Sequence, residues 1–236
     1  GTSFVLKVLR PLKNDSTVME FKITRKNIRT NPVPYYGMVK DSIGYLALSS
    51  FTENSAKDFK KAFIELKQKG AKSLIIDLRD NGGGSLSEAV DIVNLYVPKG
   101  QEIVVTKGKV RQAQGSYKTQ NEPVDTQIPL AVLVNGATAS ASEIVSGSLQ
   151  DLDRAVVIGS RTFGKGLVQT IRPLPYNGTL KVTTSKYYIP SGRCIQAIDY
   201  AKKNADGSVA RTPDSLTTVF HTAAGREVRD GGGIRP

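Results

Sequence analysis

The stretch from Ile43 to Ser160 alternates short apolar runs with segments whose apolar residues recur every three or four positions, and it does so three times. No other feature restricts the possible folds as much. A strand that returns through a helix to a neighbouring strand closes as a parallel pair with the helix lying across it. Repetition of that unit predicts an α/β fold with a mainly parallel sheet covered on both sides.

The first unit pairs "IGYLALSSF" (43–51) with "NSAKDFKKAFIELKQKG" (54–70), where Ala56, Phe59, Phe63 and Leu66 share one helical face. Ser55 and Asp58 read as an approximate capping box and Gly70 as the stop. "KSLIIDLR" (72–79) is the near-continuous apolar run of a buried parallel strand. A helix follows, opened by Ser85 and Glu88 and running through Ala89, Val90, Val93 and Tyr96 towards Pro98. The third unit is strand "LAVLVN" (130–135), a helix from Ala139 to Leu149, and strand "RAVVIGS" (154–160).

Ahead of this core, "FVLKVLR" (4–10) and "VMEFKITR" (18–25) alternate around "PLKNDST", which predicts two antiparallel strands, too few to stand alone. "RTNPVPYYG" (29–37) reads as a linker, because each Pro removes a backbone donor. After Gly166, "LVQTIRPL" and "GTLKVTTSKYYI" form a hairpin through "PYNG", and the last forty residues read as polar and irregular. The chain begins without Met and ends on "GGGIRP", so we expect a piece cut from a longer protein.

Composition removes several function classes. No apolar run is long enough to span a bilayer, so no stable membrane insertion is expected. A formal charge of +12 would admit nucleic acid, but Lys and Arg are scattered and Trp is absent, which argues against a nucleic-acid partner. The single cysteine, Cys194, excludes an intramolecular disulfide and any multi-cysteine metal site. No metal or cofactor is expected.

"GSRTFGKG" (159–166) is one residue short of a phosphate-binding loop. Such a loop needs a helix directly after the lysine, whereas "LVQTI" is strand-like, and Gly166 stands where the metal-binding hydroxyl belongs. Lys165 then calls for another partner. "NGATASASEIV" (135–145) turns from a buried strand into a helix, where a hydroxyl sits beside unpaired N–H groups able to stabilise an oxyanion. Ser140 and Ser142 are both candidates, and Ser140 with Glu143 also reads as a plain capping box. His221, the only histidine, lies in a polar tail with no strand end to hold it. A buried, neutral lysine can serve as the base instead, and Gln169 could orient its amine.

Four stretches in order, "DLRDNGGG" (77–84), "TASASEI" (138–144), "TFGKGLVQ" (162–169) and "YYIPSGRCIQ" (187–196), make the chain resemble the carboxy-terminal processing, or tail-specific, proteases. The resemblance implies a crotonase/ClpP-like core spanning 31–236 and a PDZ remnant at 1–30. It implies a serine endopeptidase that cuts protein substrates near their carboxyl termini, with Ser140 as nucleophile, Lys165 as base 25 residues later, and Gln169 positioning the lysine. The oxyanion hole would be the N–H of Ala141 with that of Gly83, or of Gly84 as second choice. Glu143, Asp151 and Thr162 match family positions as structural support, and Cys194 stands where the family usually has Ser. Substrate would bind as an extended strand, an oligomer is compatible with the family, and residence would be extracytoplasmic, in the periplasm or cell envelope. The alternative is a catalytically idle peptide-binding module of the same fold.

Overall fold

The computed structural model describes residues 1–13, 15–26, 28 and 30–236, excepting the side chain of Lys202. Contacts divide the chain into two units, Gly1–Asn31 and Pro32–Pro236. The first is a hairpin of β1 (Ser3–Pro11) and β2 (Ser16–Thr24), in unbroken antiparallel register. Asn14, in the turn expected between them, lies outside the described residues, as do Asn27 and Arg29. Phe4, Leu6 and Val8 share one face of the hairpin with Ile23, Phe21 and Met19.

The second unit runs β3 (Tyr35–Lys40), β4 (Ile43–Ala47), α1 (Ser55–Gln68), β5 (Ser73–Asp77), α2 (Leu86–Val93), β6 (Glu102–Gly108), β7 (Gly115–Lys118), β8 (Leu130–Val134), α3 (Ala141–Asp151) and β9 (Val156–Gly159). It continues through β10 (Leu167–Pro173), β11 (Thr179–Tyr188), β12 (Ile198–Lys203), β13 (Val209–Arg211), β14 (Val219–His221) and β15 (Glu227–Arg229). The principal sheet has the order β3-β4-β5-β8-β9, with β4, β5, β8 and β9 parallel and β3 an antiparallel edge. A second, antiparallel sheet has the order β10-β11-β6-β7. The architecture is α/β.

Leu46, Ile76, Val132 and Val157 stand in one cross-strand row and are buried. α1 packs on β3 and β4, α3 on β9, and α2 between the other two helices. A sheet covered on both faces was the sequence expectation, but these helices make one layer, and Val156 and Ile158 on the other face are exposed. A run such as "AVVI" is apolar on both of its faces, so it cannot report which face a helix covers.

Three further expectations are corrected. The stretch read as a linker buries Pro32 and Val33 and enters β3 at Tyr35, and Ser49 donates its N–H to the Pro32 carbonyl. Proline is tolerated there because β3 is an edge strand. The cap of α1 is not Ser55 with Asp58: Glu88 of α2 accepts the N–H groups of Asn54 and Ala56 at 3.0 and 2.7 Å, putting an anion at the helix's positive end. The last forty residues are not irregular throughout, since β12 pairs with β13 and β14 with β15, and Ile234 is wholly buried.

Candidate active site

β5 and β8 are adjacent and parallel, so their carboxyl ends release two loops side by side, at 78–84 and 135–140. Side chains knit the loops together. The Thr138 hydroxyl donates to the Leu78 carbonyl at 2.8 Å, and Asn135 and Asp80 exchange two hydrogen bonds. Buried Asn81 is the hub: its carbonyl accepts the Ala139 N–H and the Ser142 hydroxyl, and its side chain donates to the Leu48 carbonyl and accepts the Gly83 N–H at 2.9 Å. Nothing in the sequence pattern singled out Asn81, because three of its four partners, Leu48, Ala139 and Ser142, are distant in the chain.

At the end of the second loop, Ser140 has φ 59° and ψ −117°, a conformation that strains any residue with a side chain by about 1–3 kcal/mol. The frame holds it there. Its N–H donates to Glu143 Oε2 at 2.9 Å, and its carbonyl accepts the N–H groups of Glu143 and Ile144. Gly83 lies against it so closely that a Cβ added to that glycine would stand 2.7 Å from Ser140 Cβ. A sharp strand-to-helix turn of this kind presents a side chain at the top of the sheet. Ser140 is half-buried and faces a cleft, whereas Ser142 is fully buried with its hydroxyl committed to Asn81.

Lys165 is fixed by its backbone. Its N–H donates to Glu143 Oε2 at 2.8 Å, and its carbonyl accepts the Tyr187 hydroxyl at 2.5 Å. Gly164 has φ 85°, and a Cβ there would stand 2.4 Å from Ala197 Cβ; one on Gly166 would stand 2.8 Å from the Gln196 nitrogen. The flanking glycines therefore serve close packing on residues 196–197, not a phosphate, and the chain enters β10 rather than a helix. From behind, Thr162 and Ile234 exchange two hydrogen bonds.

Glu143 joins the two halves. Its carboxylate, wholly buried, accepts from the Ser140 N–H, the Thr162 hydroxyl, the Gly164 N–H and the Lys165 N–H at 2.5–2.9 Å. Burial pushes its pKa up from the usual carboxylate value, and the four donors oppose that shift without reversing it. Tyr187 is a second bridge, its hydroxyl 3.2 Å from the Ser140 carbonyl as well; burial raises its pKa well above the usual phenol value. The sequence signalled Tyr187 only as one letter of "YYIPSGRCIQ". Further along that motif, Arg193 makes a fully buried ion pair with Asp151 at 2.7 Å and also donates to Gln150 and to the Arg229 carbonyl.

Ser140, Ala141, Gly83, Gly84, Lys165 and Gln169 all line one cleft of about 530 Å³, walled also by Leu86, Ile144, Val168 and Tyr187. His221 is exposed on β14 and does not line it. Three details differ from the sequence expectation. Lys165 is half-buried rather than sheltered, and no hydrogen bond joins its amine to the Ser140 hydroxyl. Gln169 is exposed and bonds no lysine, because β10 starts only at Leu167 and bulges between Val168 and Gln169. The Gly83 N–H is taken by Asn81, whereas among the described residues the Gly84 and Ala141 N–H groups have no acceptor. Among the described residues no cluster of His, Cys, Asp or Glu could hold a metal ion, and no helix is long and apolar enough to cross a membrane.

Residues 42–202 match peptidase family S41. The carboxy-terminal-processing protease of Bartonella bacilliformis is 42% identical over 184 residues, covering 76% of this chain and 42% of that protein. The chloroplastic C-terminal processing peptidase of Tetradesmus obliquus is 32% identical over 215 residues, covering 86% of this chain and 45% of that protein. Among solved structures, the photosystem II D1 C-terminal processing protease superposes with a TM-score of 0.62 at 32% identity, covering 76% of this chain and 49% of that one. The chain thus spans less than half the length of these relatives.

Proposed function

The chain belongs to peptidase family S41, and from that premise we propose that it carries the catalytic part of a serine endopeptidase that cleaves proteins near their carboxyl termini. The single observation that carries the reading is the shared cleft of Ser140 and Lys165, with the strained turn of Ser140 aimed into it. Lys165, acting from its neutral form, takes the Ser140 hydroxyl proton while Oγ bonds to the scissile carbonyl carbon. The carbonyl oxygen becomes an oxyanion, stabilised by the Ala141 N–H and a second donor. Gly84 suits that second place better than Gly83, since its N–H has no other acceptor among the described residues. The lysine proton passes to the departing amine, leaving an acyl-enzyme, and a water activated by the same amine then releases the acyl group. A lysine stem has four rotatable bonds, so an amine in the same cleft can swing into reach of the hydroxyl. Gln169 would steady it once substrate covers the cleft.

β10 is the terminal strand of its sheet and starts two residues after Lys165, which supports an extended peptide pairing along its edge. We assign the core to the crotonase/ClpP-like class and residues 1–30 to a PDZ remnant by the same family resemblance, and residence to the periplasm or cell envelope on that ground alone. An internally quenched peptide panel tests the activity. Wild type should hydrolyse at least one member, and Ser140→Ala and Lys165→Ala should each lose about 10³-fold or more. Full activity in Lys165→Ala would refute the dyad, and binding without hydrolysis by wild type would leave an idle peptide-binding module.

A further inference from the structure

A second and larger cavity, about 880 Å³, adjoins the first and shares Lys165, Leu167 and Gln169 with it. The β10–β11 hairpin borders both. Val168 and Tyr187 line only the Ser140 cleft, whereas Lys186, the cross-strand partner of Leu167, lines only the second cavity. Successive side chains of a strand point to opposite faces, so a peptide added to the β10 edge sends alternate side chains towards the two cavities.

The second cavity is amphipathic. Phe163, Leu167, Ile198 and Leu216 give it apolar walls. Two carboxylates also line it, but Asp230 accepts the Thr218 N–H at 2.7 Å and Asp199 accepts the Ala201 N–H at 3.1 Å. The Lys186 ammonium has no hydrogen-bond or ion-pair partner among the described residues, and Lys165 serves Ser140 in the reading above. An uncommitted cation at the rim of an apolar cavity matches a ligand with an apolar stem and an anionic tip.

We propose that this second cavity is a specificity site for a carboxylate-bearing residue of the substrate, recognised through Lys186 at positions alternate to those that face Ser140. The inference rests on the proteolytic reading of the neighbouring cleft. The carboxylate comes from an acidic side chain or from the end of a short tail; both chemistries are the same to an ammonium group.

The test places Glu, Gln or Lys at each position around the scissile bond of one cleaved peptide, and ends matched short peptides in a free acid or an amide. Hydrolysis by wild type, Lys186→Gln and Lys186→Glu is compared, with binding of the same labelled peptides to Ser140→Ala protein, with and without the Lys186 changes, read by fluorescence anisotropy. Wild type should favour Glu over Gln about threefold or more at positions of one parity, or the free acid over the amide if the tail is the source. Lys186→Glu should reverse the order in favour of Lys, and Lys186→Gln should fall between. A ranking that ignores Lys186 in the binding assay, or equal responses at neighbouring positions, overturns the proposal. Lys186-dependent binding without hydrolysis would instead sink the proteolytic reading and leave the cavity assignment standing.

Discussion

Ser140 stores strain that nothing in its own chemistry requires, since φ 59° with ψ −117° is glycine territory. Ser140→Gly should therefore raise stability, by up to about 1 kcal/mol in a urea titration, while abolishing hydrolysis. A loss of stability would mean that the turn is not strained. Ser142→Ala tests the neighbouring hydroxyl. Removing its donation to the Asn81 carbonyl should cost about 1 kcal/mol, since the Ala139 N–H still satisfies that acceptor, and hydrolysis should persist. From sequence the two serines were equal candidates, and only the family resemblance preferred Ser140. Burial separates them, and burial depends on Asn81, whose partners Leu48, Gly83, Ala139 and Ser142 come from three separate stretches of the chain.

At the level of elements, α3 is tied at both ends. Glu143 in its first turn gathers the Ser140 turn and the Lys165 loop, and Asp151 at its last residue pairs with buried Arg193. Truncating Arg193→Ala leaves the Asp151 carboxylate buried without its cation, and should cost about 3–5 kcal/mol of unfolding free energy. Asp151→Asn combined with Arg193→Met should cost clearly less, because no charge is then stranded; equal losses would show that packing, not charge, is at stake. The βα units were legible because each apolar period is local: Phe59, Phe63 and Leu66 are buried on α1 as the spacing predicts. β7 and the final hairpins were not, because their strands are short and largely polar, and β6, although Ile103 and Val104 are buried, finds its partner far along the chain, as Thr106 does opposite Tyr187. Ile234 is the extreme case, an apolar residue in a glycine-rich tail that is held at the core by Thr162, by the Gly233 N–H on the Ile195 carbonyl, and by the side chain of Gln150, which donates to the Arg235 carbonyl.

Charge is distributed through the molecule so that pH should move its stability in a defined direction. Burial alone would raise the pKa of Asp77, but hydrogen bonds from Arg79 and Tyr45 bring it below the usual carboxylate value. Asp125 behaves alike: against burial, the Lys67 ammonium and two backbone N–H groups lower it. A lowered folded-state pKa gives stability that is present above the unfolded value of about 3.9 and is lost as pH falls through the folded value. Glu143 has the opposite sign: its raised pKa favours folding below about 4.3, and that share is lost as pH rises through the folded value. The urea midpoint should therefore fall as pH drops below about 4, and Asp77→Asn should flatten that decline. An unchanged slope in Asp77→Asn would show that Asp77 does not carry this pH dependence. At this same scale, one amine and one hydroxyl in a common cleft are proposed to form a reactive pair. Treatment with a fluorophosphonate, followed by mapping of the adduct by mass spectrometry, tests it most directly. A single adduct is expected on Ser140, lost in Lys165→Ala; an adduct on another serine, or undiminished labelling of Ser140 without the lysine, would refute the pairing.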